Sequence, residues 1–215
     1  YSLDEIIETF DPKRIGTSGA FFDIQKLHWV NQMKIIDTIP EDQLWQRLVD
    51  WQFNETFMRK LMPLAHTRIK TFGDFMQLCN FFFINDLPLT PELLCPKNTA
   101  PELICFLLQT IIWGLDAAED WSGSSLEKAS PEAAELFGAH HKKVVIPALF
   151  ACIMGKLQGP PLFDSVTLLG KDRTRVRLMN AIQALGGISN KKMDLLKKGW
   201  DKKNMGQLLA EIPQG

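Results

Sequence analysis

Residues 103–113 read LICFLLQTIIW, and this stretch decides the fold class. Its side chains are apolar nearly all the way round a helical projection, which is typical of a central helix buried on every side. The wider apolar run, 103–115, is interrupted by Gln109 and Thr110 and is too short to cross a bilayer. We therefore predict a buried helix at the centre of a helical domain and no association with a membrane.

Helix start signals recur on both sides of this core. Asp23 is placed to cap a helix, and Asn54 precedes a helical pattern that we expect to stop at Pro63. Thr71 stands at capping-box spacing from Asp74. The chain has no sustained two-residue alternation of β-branched residues, so we expect almost no sheet. The predicted fold class is all-α, built from helical bundles.

Proline and polar clusters predict the remaining boundaries. Thr90-Pro91 and Ser130-Pro131 place proline at a first helical position, where its missing N–H costs nothing. The polar segment 122–130 is predicted to be an exposed loop. Breaks between domains are expected near residues 37–40 and within the proline-rich segment 86–101.

Composition indicates a globular protein of a reducing compartment, and we expect it to be cytoplasmic. Hydrophobic residues make up 46% of the chain, too many for wholesale disorder. The four cysteines form no Cys-x-x-Cys pair, which favours buried free thiols. The chain opens without a signal-peptide pattern and without an initiator Met, so we expect a fragment or a processed product.

Charge is distributed unevenly along the chain. Residues 1–138 hold 11 Lys and Arg against 20 Asp and Glu, a net charge of −9. Residues 139–215 hold 13 against 5, a net charge of +8. A basic C-terminal part on an acidic body suggests an oriented surface for a polyanion. A solvated basic helix face would explain the same pattern, and charge alone leaves the two interpretations about even.

Catalytic and metal-binding signals are weak. His140 and His141 are neighbours, and adjacent helical residues point about 100° apart, which suits a shared metal ion poorly. The sequence contains neither a glycine-rich phosphate loop nor a nucleophile elbow. We predict no catalytic residue and no metal site in this chain.

A second stretch, residues 156–177, combines a rigid turn with a basic helix. Gly159-Pro160-Pro161 fixes a turn that presents Leu162 and backbone groups, and Lys171, Arg173 and Arg177 are expected to project from the helix that follows. Such a turn offers a surface for a base, and nearby cations hold phosphates. A helix–turn–helix with a basic outer face is an equally good interpretation from the residues alone.

Two motifs at opposite ends of the chain carry a family resemblance. Residues 10–31, FDPKRIGTSGAFFDIQKLHWVN, and residues 159–177, GPPLFDSVTLLGKDRTRVR, resemble in the same order two conserved patterns of bacterial-type glutamyl-tRNA synthetases. Residues 66–75, HTRIKTFGDF, are similar to a third. The resemblance implies that Gly159, Pro160 and Leu162 receive an anticodon base, with Lys171, Arg173 and Arg177 as the family's basic helix.

The resemblance also gives roles to three cations nearer the N-terminus. It implies that Arg68 reads the third anticodon base and that Lys13 and Arg14 contact the RNA backbone. A guanidinium fork suits the O2 and N3 acceptors of cytosine, whereas guanine presents donors on that edge. Without the resemblance, Arg68 would be interpreted as a surface arginine at a helix end.

The resemblance further implies a three-part organisation of the chain. Residues 1–38 would be the tail of a stem-contact region, with anticodon-binding subdomains at 39–88 and 89–215. The family's catalytic domain would precede Tyr1, so this part is expected to be inactive alone and to need no cofactor. ATP and Mg²⁺ would serve the full-length enzyme. The expected partner is tRNA-Glu, with tRNA-Gln left open, and the expected state is a monomer.

Two alternatives remain open at this point. The chain could be an all-helical protein-interaction module, which explains the helical pattern but not two ordered family motifs. It could also be a free-standing synthetase-like paralogue that does not aminoacylate.

Overall fold

The computed structural model describes residues 3–12, 22–51 and 53–210. Every regular element within these ranges is helical, which confirms the all-α prediction. The contacts divide the chain into two compact units, residues 1–53 and 54–215. The finer division at residues 38 and 88 stays a prediction.

Among its described residues, the first unit contains three α-helices whose side chains are largely open to solvent. They are α1 (Leu3–Thr9), α2 (Ile24–Thr38) and α3 (Glu41–Trp51). Asp23 caps α2 as predicted, because its Oδ1 accepts a hydrogen bond from the amide of Lys26 at 3.1 Å. None of the described residues in these helices is buried.

The second unit contains the hydrophobic core and the remaining helices. A hairpin of α4 (Glu55–His66) and α5 (Phe72–Cys79) comes first, and a 3-10 turn, Asn80–Phe82, follows it directly. Then come α6 (Pro91–Leu94), α7 (Pro101–Ala117), α8 (Gly123–Leu136), a π-helical turn (His141–Val145), α9 (Ile146–Met154), α10 (Leu162–Leu169), α11 (Lys171–Ala184), α12 (Asn190–Asp201) and α13 (Gly206–Leu209).

Helix α7 is the buried centre that its sequence predicts. It packs against α8 and α11, and nine of its residues are buried. Thr110, the polar residue in the middle of this apolar helix, donates its hydroxyl to the carbonyl of Leu107 at 2.8 Å, so its burial leaves no unpaired hydroxyl. Cys105 and Cys152 are buried free thiols, and burial raises the pKa of Cys105 to about 11.

Two prolines lie inside helices, and both contradict the sequence prediction. Helix α4 continues through Pro63 to His66, because Leu61, Leu64 and Ala65 on either side of the proline are buried in the core. The predicted loop at 122–130 is also wrong, since α8 begins at Gly123 and runs through Pro131. Packing of α8 against α7 and α10 overrides the local preference of its polar N-terminal half.

Length and hydropathy decide whether a described helix could span a membrane. Within residues 3–12, 22–51 and 53–210, no single helix is both long and apolar enough to cross a bilayer. Only α8 taken together with residues 141–154, across a bend of 112°, satisfies the two criteria.

Candidate nucleic-acid interface

The turn between α4 and α5 presents Arg68 to solvent. The amides of Arg68 and Ile69 donate to the carbonyl of Ala65 at 2.8 and 3.1 Å and close the end of α4. The guanidinium Nη1 donates to Thr67 Oγ1 at 3.1 Å and, more weakly, to the carbonyl of Leu64 at 3.4 Å. These bonds orient the guanidinium while it remains exposed.

The capping box predicted at Thr71 is present and fixes the same turn. The Asp74 carboxylate accepts hydrogen bonds from the amides of Lys70 and Thr71, at 2.8 and 2.9 Å. These backbone hydrogen bonds favour the ionised form and hold the pKa of Asp74 below its usual value. Asp74 therefore acts as the positioning residue for the turn that carries Arg68.

The turn between α9 and α10 contains two glycines with special geometry, and its Pro160 and Leu162 side chains point inward. Gly155 ends α9 in the left-handed region at φ 68°, and a Cβ on Gly159 would lie 2.4 Å from Met154 Sδ. Pro160 is buried, and Leu162 is only 5% exposed. The expectation that this turn presents Leu162 is wrong, because that side chain belongs to the core.

The three predicted cations of α11 occupy different environments. Lys171 is exposed, with its Nζ 5.8 Å from the centre of the Trp121 ring. Arg173 is partly buried, and its Nη1 donates to the carbonyl of Phe82 at 2.8 Å. Arg177 is only 3% exposed. The expectation that all three project into solvent is therefore wrong for Arg177, because it faces the core side of α11.

Arg177 joins three segments of backbone inside the core. Its Nη1 donates to the carbonyl of Ile153, and its Nη2 donates to the carbonyls of Phe81 and, at 2.9 Å, Ile84. Burial, with a smaller contribution from nearby Arg173, lowers the pKa of Arg177 to about 10. Its role in the described structure is to hold the end of α9 and the segment after α5 together.

Lys156 connects the same regions from the α9–α10 turn. Its Nζ donates to the carbonyls of Gln77 and Leu78 at 2.6 and 3.1 Å, in the last turn of α5. A cation there is favoured because the helix dipole is negative at its C-terminal end. We call Lys156, Arg173 and Arg177, with the carbonyls they bind, the cation–carbonyl cluster. It fixes the α4–α5 hairpin to the helices that carry the other predicted turn.

The other residues considered in the sequence as binding or metal-ligating groups contribute less to this surface. Lys13 and Arg14 lie outside the described residues. His141 Nε2 lies 3.0 Å from the hydroxyl of buried Ser130, and its neighbour His140 is exposed. Across the described ranges, no group of three or more His, Cys, Asp or Glu side chains is arranged to hold a metal ion.

Two exposed apolar side chains on this surface were not predicted from the sequence. Phe72, the first residue of α5, is 97% exposed, and Leu157 is 55% exposed in the α9–α10 turn. Helical periodicity gives a misleading signal for Phe72, since it precedes Phe75 by three positions and Cys79 by seven and so shares their stripe on α5. Leu157 gives no such signal, because irregular turns have no periodicity. Among the predicted side chains, Arg68 and Lys171 are those that the structure leaves exposed.

The described surface thus carries exposed cations, an exposed aromatic ring and two structured turns. Comparison with known proteins shows the family of the chain. The family model described as "Anticodon binding domain" matches residues 43–182, which is more than half of the chain. The chain therefore belongs to the anticodon-binding domain family.

Relatives with recorded functions are similar over nearly the whole chain. A glutamate–tRNA ligase from Protochlamydia amoebophila is 59% identical over 204 residues, covering 95% of this chain and 41% of that protein. The glutamate–tRNA ligase of Chlamydia muridarum is 42% identical over 212 residues, again covering 41% of that protein. The chain thus spans about two fifths of these relatives and corresponds to their C-terminal part.

A solved structure supports the fold. The crystal structure of a glutamate tRNA ligase from Elizabethkingia meningosepticum, in complex with its amino acid, matches with a TM-score of 0.54. The match covers 86% of this chain and 37% of that one, at 23% sequence identity. At this identity the likeness supports the helical architecture alone.

Proposed function

We propose that this chain is the RNA-binding portion of a glutamate–tRNA ligase and that it binds the anticodon arm of tRNA-Glu. The observation that carries the proposal is the family match over residues 43–182, which contain the exposed cations Arg68, in the α4–α5 turn, and Lys171, at the start of α11. The relatives named above are glutamate–tRNA ligases, and the full-length protein would attach glutamate to tRNA-Glu, using ATP and Mg²⁺, as a monomer in the cytoplasm.

The proposed contacts with tRNA are of two kinds: some residues read bases and others bind the RNA backbone. Arg68 is exposed and oriented by Thr67, so we assign it to a base edge. Lys171, exposed at the start of α11, is assigned to phosphate, as are Lys13 and Arg14. Gly159 and the backbone of the following turn would approach a second base, while Pro160 and Leu162 support that backbone from within the core.

The remaining cations support the surface without contacting the RNA directly. Arg177 is buried, and Arg173 donates to a backbone carbonyl, so both hold the hairpin that bears Arg68 in place. This chain is proposed to bind and position tRNA, while glutamate activation belongs to other parts of the full-length protein. The three-part organisation with breaks at residues 38 and 88 belongs to the same proposal.

A filter-binding titration of the 215-residue chain tests the specificity of the proposal. Transcripts of tRNA-Glu, tRNA-Gln and an unrelated tRNA are compared at one fixed salt concentration, because affinity for RNA depends strongly on salt. We expect tighter binding of tRNA-Glu than of the unrelated tRNA. Equal binding of all three would overturn the specificity.

The variant Arg68→Gln tests the residue assigned to base reading. The loss of one charged, bidentate base contact is expected to reduce discrimination between tRNA-Glu and tRNA-Gln by roughly 1–3 kcal/mol, as for a base contact in DNA. Unchanged discrimination would remove Arg68 from base reading. Arg47→Gln on α3 is the matched control, since Arg47 is an exposed arginine to which no contact with RNA is assigned.

A further inference from the structure

A groove on the α4–α5 hairpin has no occupant in the structure. It has a volume of about 720 Å³ and is lined almost entirely by apolar atoms. Its lining includes Met58, Met62, Pro63, Ile69, Phe72 and Phe75. An apolar groove open to solvent in this part of a compact unit is a candidate for a binding site.

Phe72 stands out in this lining because almost none of its surface is covered. Its side chain is 97% exposed, whereas Phe75, one turn further along α5, is partly buried with its ring centre 6.5 Å from that of Phe83. An aromatic ring at the first position of a helix, with its turn fixed by Asp74, is held at a defined place. Phe72 therefore offers an open stacking face on a backbone that the capping box fixes.

The charges around the groove favour an anionic occupant. Residues 54–75 carry Arg59, Lys60, Arg68 and Lys70 against Glu55 and Asp74, a net charge of +2 within an acidic N-terminal half. Glu55 is paired with Arg59, and Asp74 accepts hydrogen bonds from two backbone amides. Of these cations, Arg59 lines the groove, Lys60 lines a different pocket, and Arg68 and Lys70 are exposed in the turn between α4 and α5. A partner that combines a flat apolar face with negative charge fits this surface better than an apolar peptide does.

Arg68 and Lys70 flank Ile69 in the sequence, and Ile69 lines the groove, whose own basic lining residues are Arg59 and His66. In the part of the chain that the structure describes, the side-chain hydrogen bonds of Arg68 all start from Nη1. Arginine has five N–H donors, so its Nε and Nη2 groups remain free to bind a base edge or a phosphate.

We propose that this groove is a stacking site for a single unpaired RNA base, with Phe72 as the platform. The base lies against the Phe72 ring, Arg68 donates to its edge, and Lys70 binds the adjoining phosphate. This inference rests on the proposed tRNA binding and adds an aromatic contact that chooses unpaired over paired RNA, because only an unstacked base exposes its face.

Substitutions that separate stacking from apolar area test the proposal. Phe72→Leu keeps an apolar side chain but removes the aromatic face, and Phe72→Trp enlarges that face. We expect Phe72→Leu to weaken binding of a tRNA-Glu transcript about tenfold and Phe72→Trp to bind as tightly as Phe72 or more tightly. The melting temperature should not change in either variant, because Phe72 is exposed. Trp45→Leu, at a 65% exposed aromatic residue of α3, is the matched control.

A spectroscopic probe reports the stacked base directly. A tRNA-Glu transcript carrying 2-aminopurine in the anticodon loop should lose fluorescence on binding the wild-type chain and should lose less on binding Phe72→Leu. Equal binding of the transcript by wild type and both variants would overturn the stacking site while leaving the proposed function intact. A wild-type chain that binds no tRNA would instead overturn the proposed function. A dimer in sedimentation that Phe72→Leu dissociates would also overturn the stacking site, by showing a second copy in the groove.

Discussion

The Nζ atom of Lys156 lies 2.6 Å from the carbonyl oxygen of Gln77, although 79 residues separate them in sequence. This bond joins the turn between α9 and α10 to the last turn of α5. Each of those regions carries one of the predicted RNA-binding turns, so the cation–carbonyl cluster and the shared hydrophobic core together set the spacing between the turns. Changes in the cluster should therefore alter RNA binding without touching RNA.

Lys156→Met tests this coupling. The substitution removes hydrogen bonds from a cation to two carbonyls, and we expect the free energy of unfolding to fall by about 1–3 kcal/mol. Affinity for tRNA-Glu should fall as well, because the hairpin bearing Arg68 is less well held. Urea unfolding and filter binding measure the two effects. A variant with unchanged stability and affinity would show that the cluster does not position the hairpin.

Arg177→Met should be the most destabilising change in α11. It leaves three backbone carbonyls without their donor in the core, and we expect a loss of roughly 3–5 kcal/mol by urea unfolding. Arg177→Lys should rescue little of this loss, since one ammonium group cannot reproduce the planar fork. The exposed pair of Arg59 and Glu55 on α4 provides the control, and Arg59→Met should cost less than about 1 kcal/mol. Equal losses at both positions would contradict the structural role of Arg177.

Lys171→Ala should weaken RNA binding through charge alone. Because Lys171 is assigned to phosphate, its loss should reduce affinity for all tRNAs by a similar factor. The slope of log affinity against log salt should become shallower by about one. Binding titrations at four or five salt concentrations measure this slope. A slope that matches the wild type would place Lys171 away from the RNA.

The contact between His141 and Ser130 predicts a pH effect on stability. Burial, with Lys142 and His140 nearby, lowers the pKa of His141 below its ordinary 6.5. The unfolded chain therefore binds this proton more readily than the folded chain does. The resulting stability is present above the unfolded pKa and is lost as pH falls through the folded pKa.

We accordingly expect the melting temperature to fall between about pH 7 and pH 5, and His141→Gln to make that fall smaller. Glutamine keeps a hydrogen-bonding group near Ser130 but does not titrate. His140→Gln removes only the smallest of the three causes that lower the pKa of His141, so it should change the pH profile less than His141→Gln does. Profiles of the same steepness for wild type and His141→Gln would exclude this histidine as the source.

Local chemistry made much of the fold predictable. Asp23 and Asn54 are caps in the structure, and the capping box of Thr71 and Asp74 is present, because a cap depends on side chains within a few residues of one another. The buried helix α7 was predictable for a similar reason, since its apolar character requires no knowledge of its partners. The prolines at 63 and 131 were not predictable, because packing around them outweighs a local preference.

The candidate site was less predictable, since the role of a cation depends on the direction in which it points. Lys171 and Arg177 lie on the same basic helix, yet one is exposed and the other is buried among carbonyls. No spacing in the sequence marks a carbonyl as a partner, because every residue carries one. Phe72 was missed for the opposite reason, since apolar residues are expected to be buried.

Competition between fragments of the RNA tests the central claim most directly. The chain is first bound to labelled tRNA-Glu, and the isolated anticodon stem-loop or an acceptor-arm minihelix of the same tRNA is then added as competitor. We predict that the stem-loop displaces tRNA-Glu and that the minihelix does so only at far higher concentration. Displacement by the minihelix, with none by the stem-loop, would contradict binding through the anticodon arm.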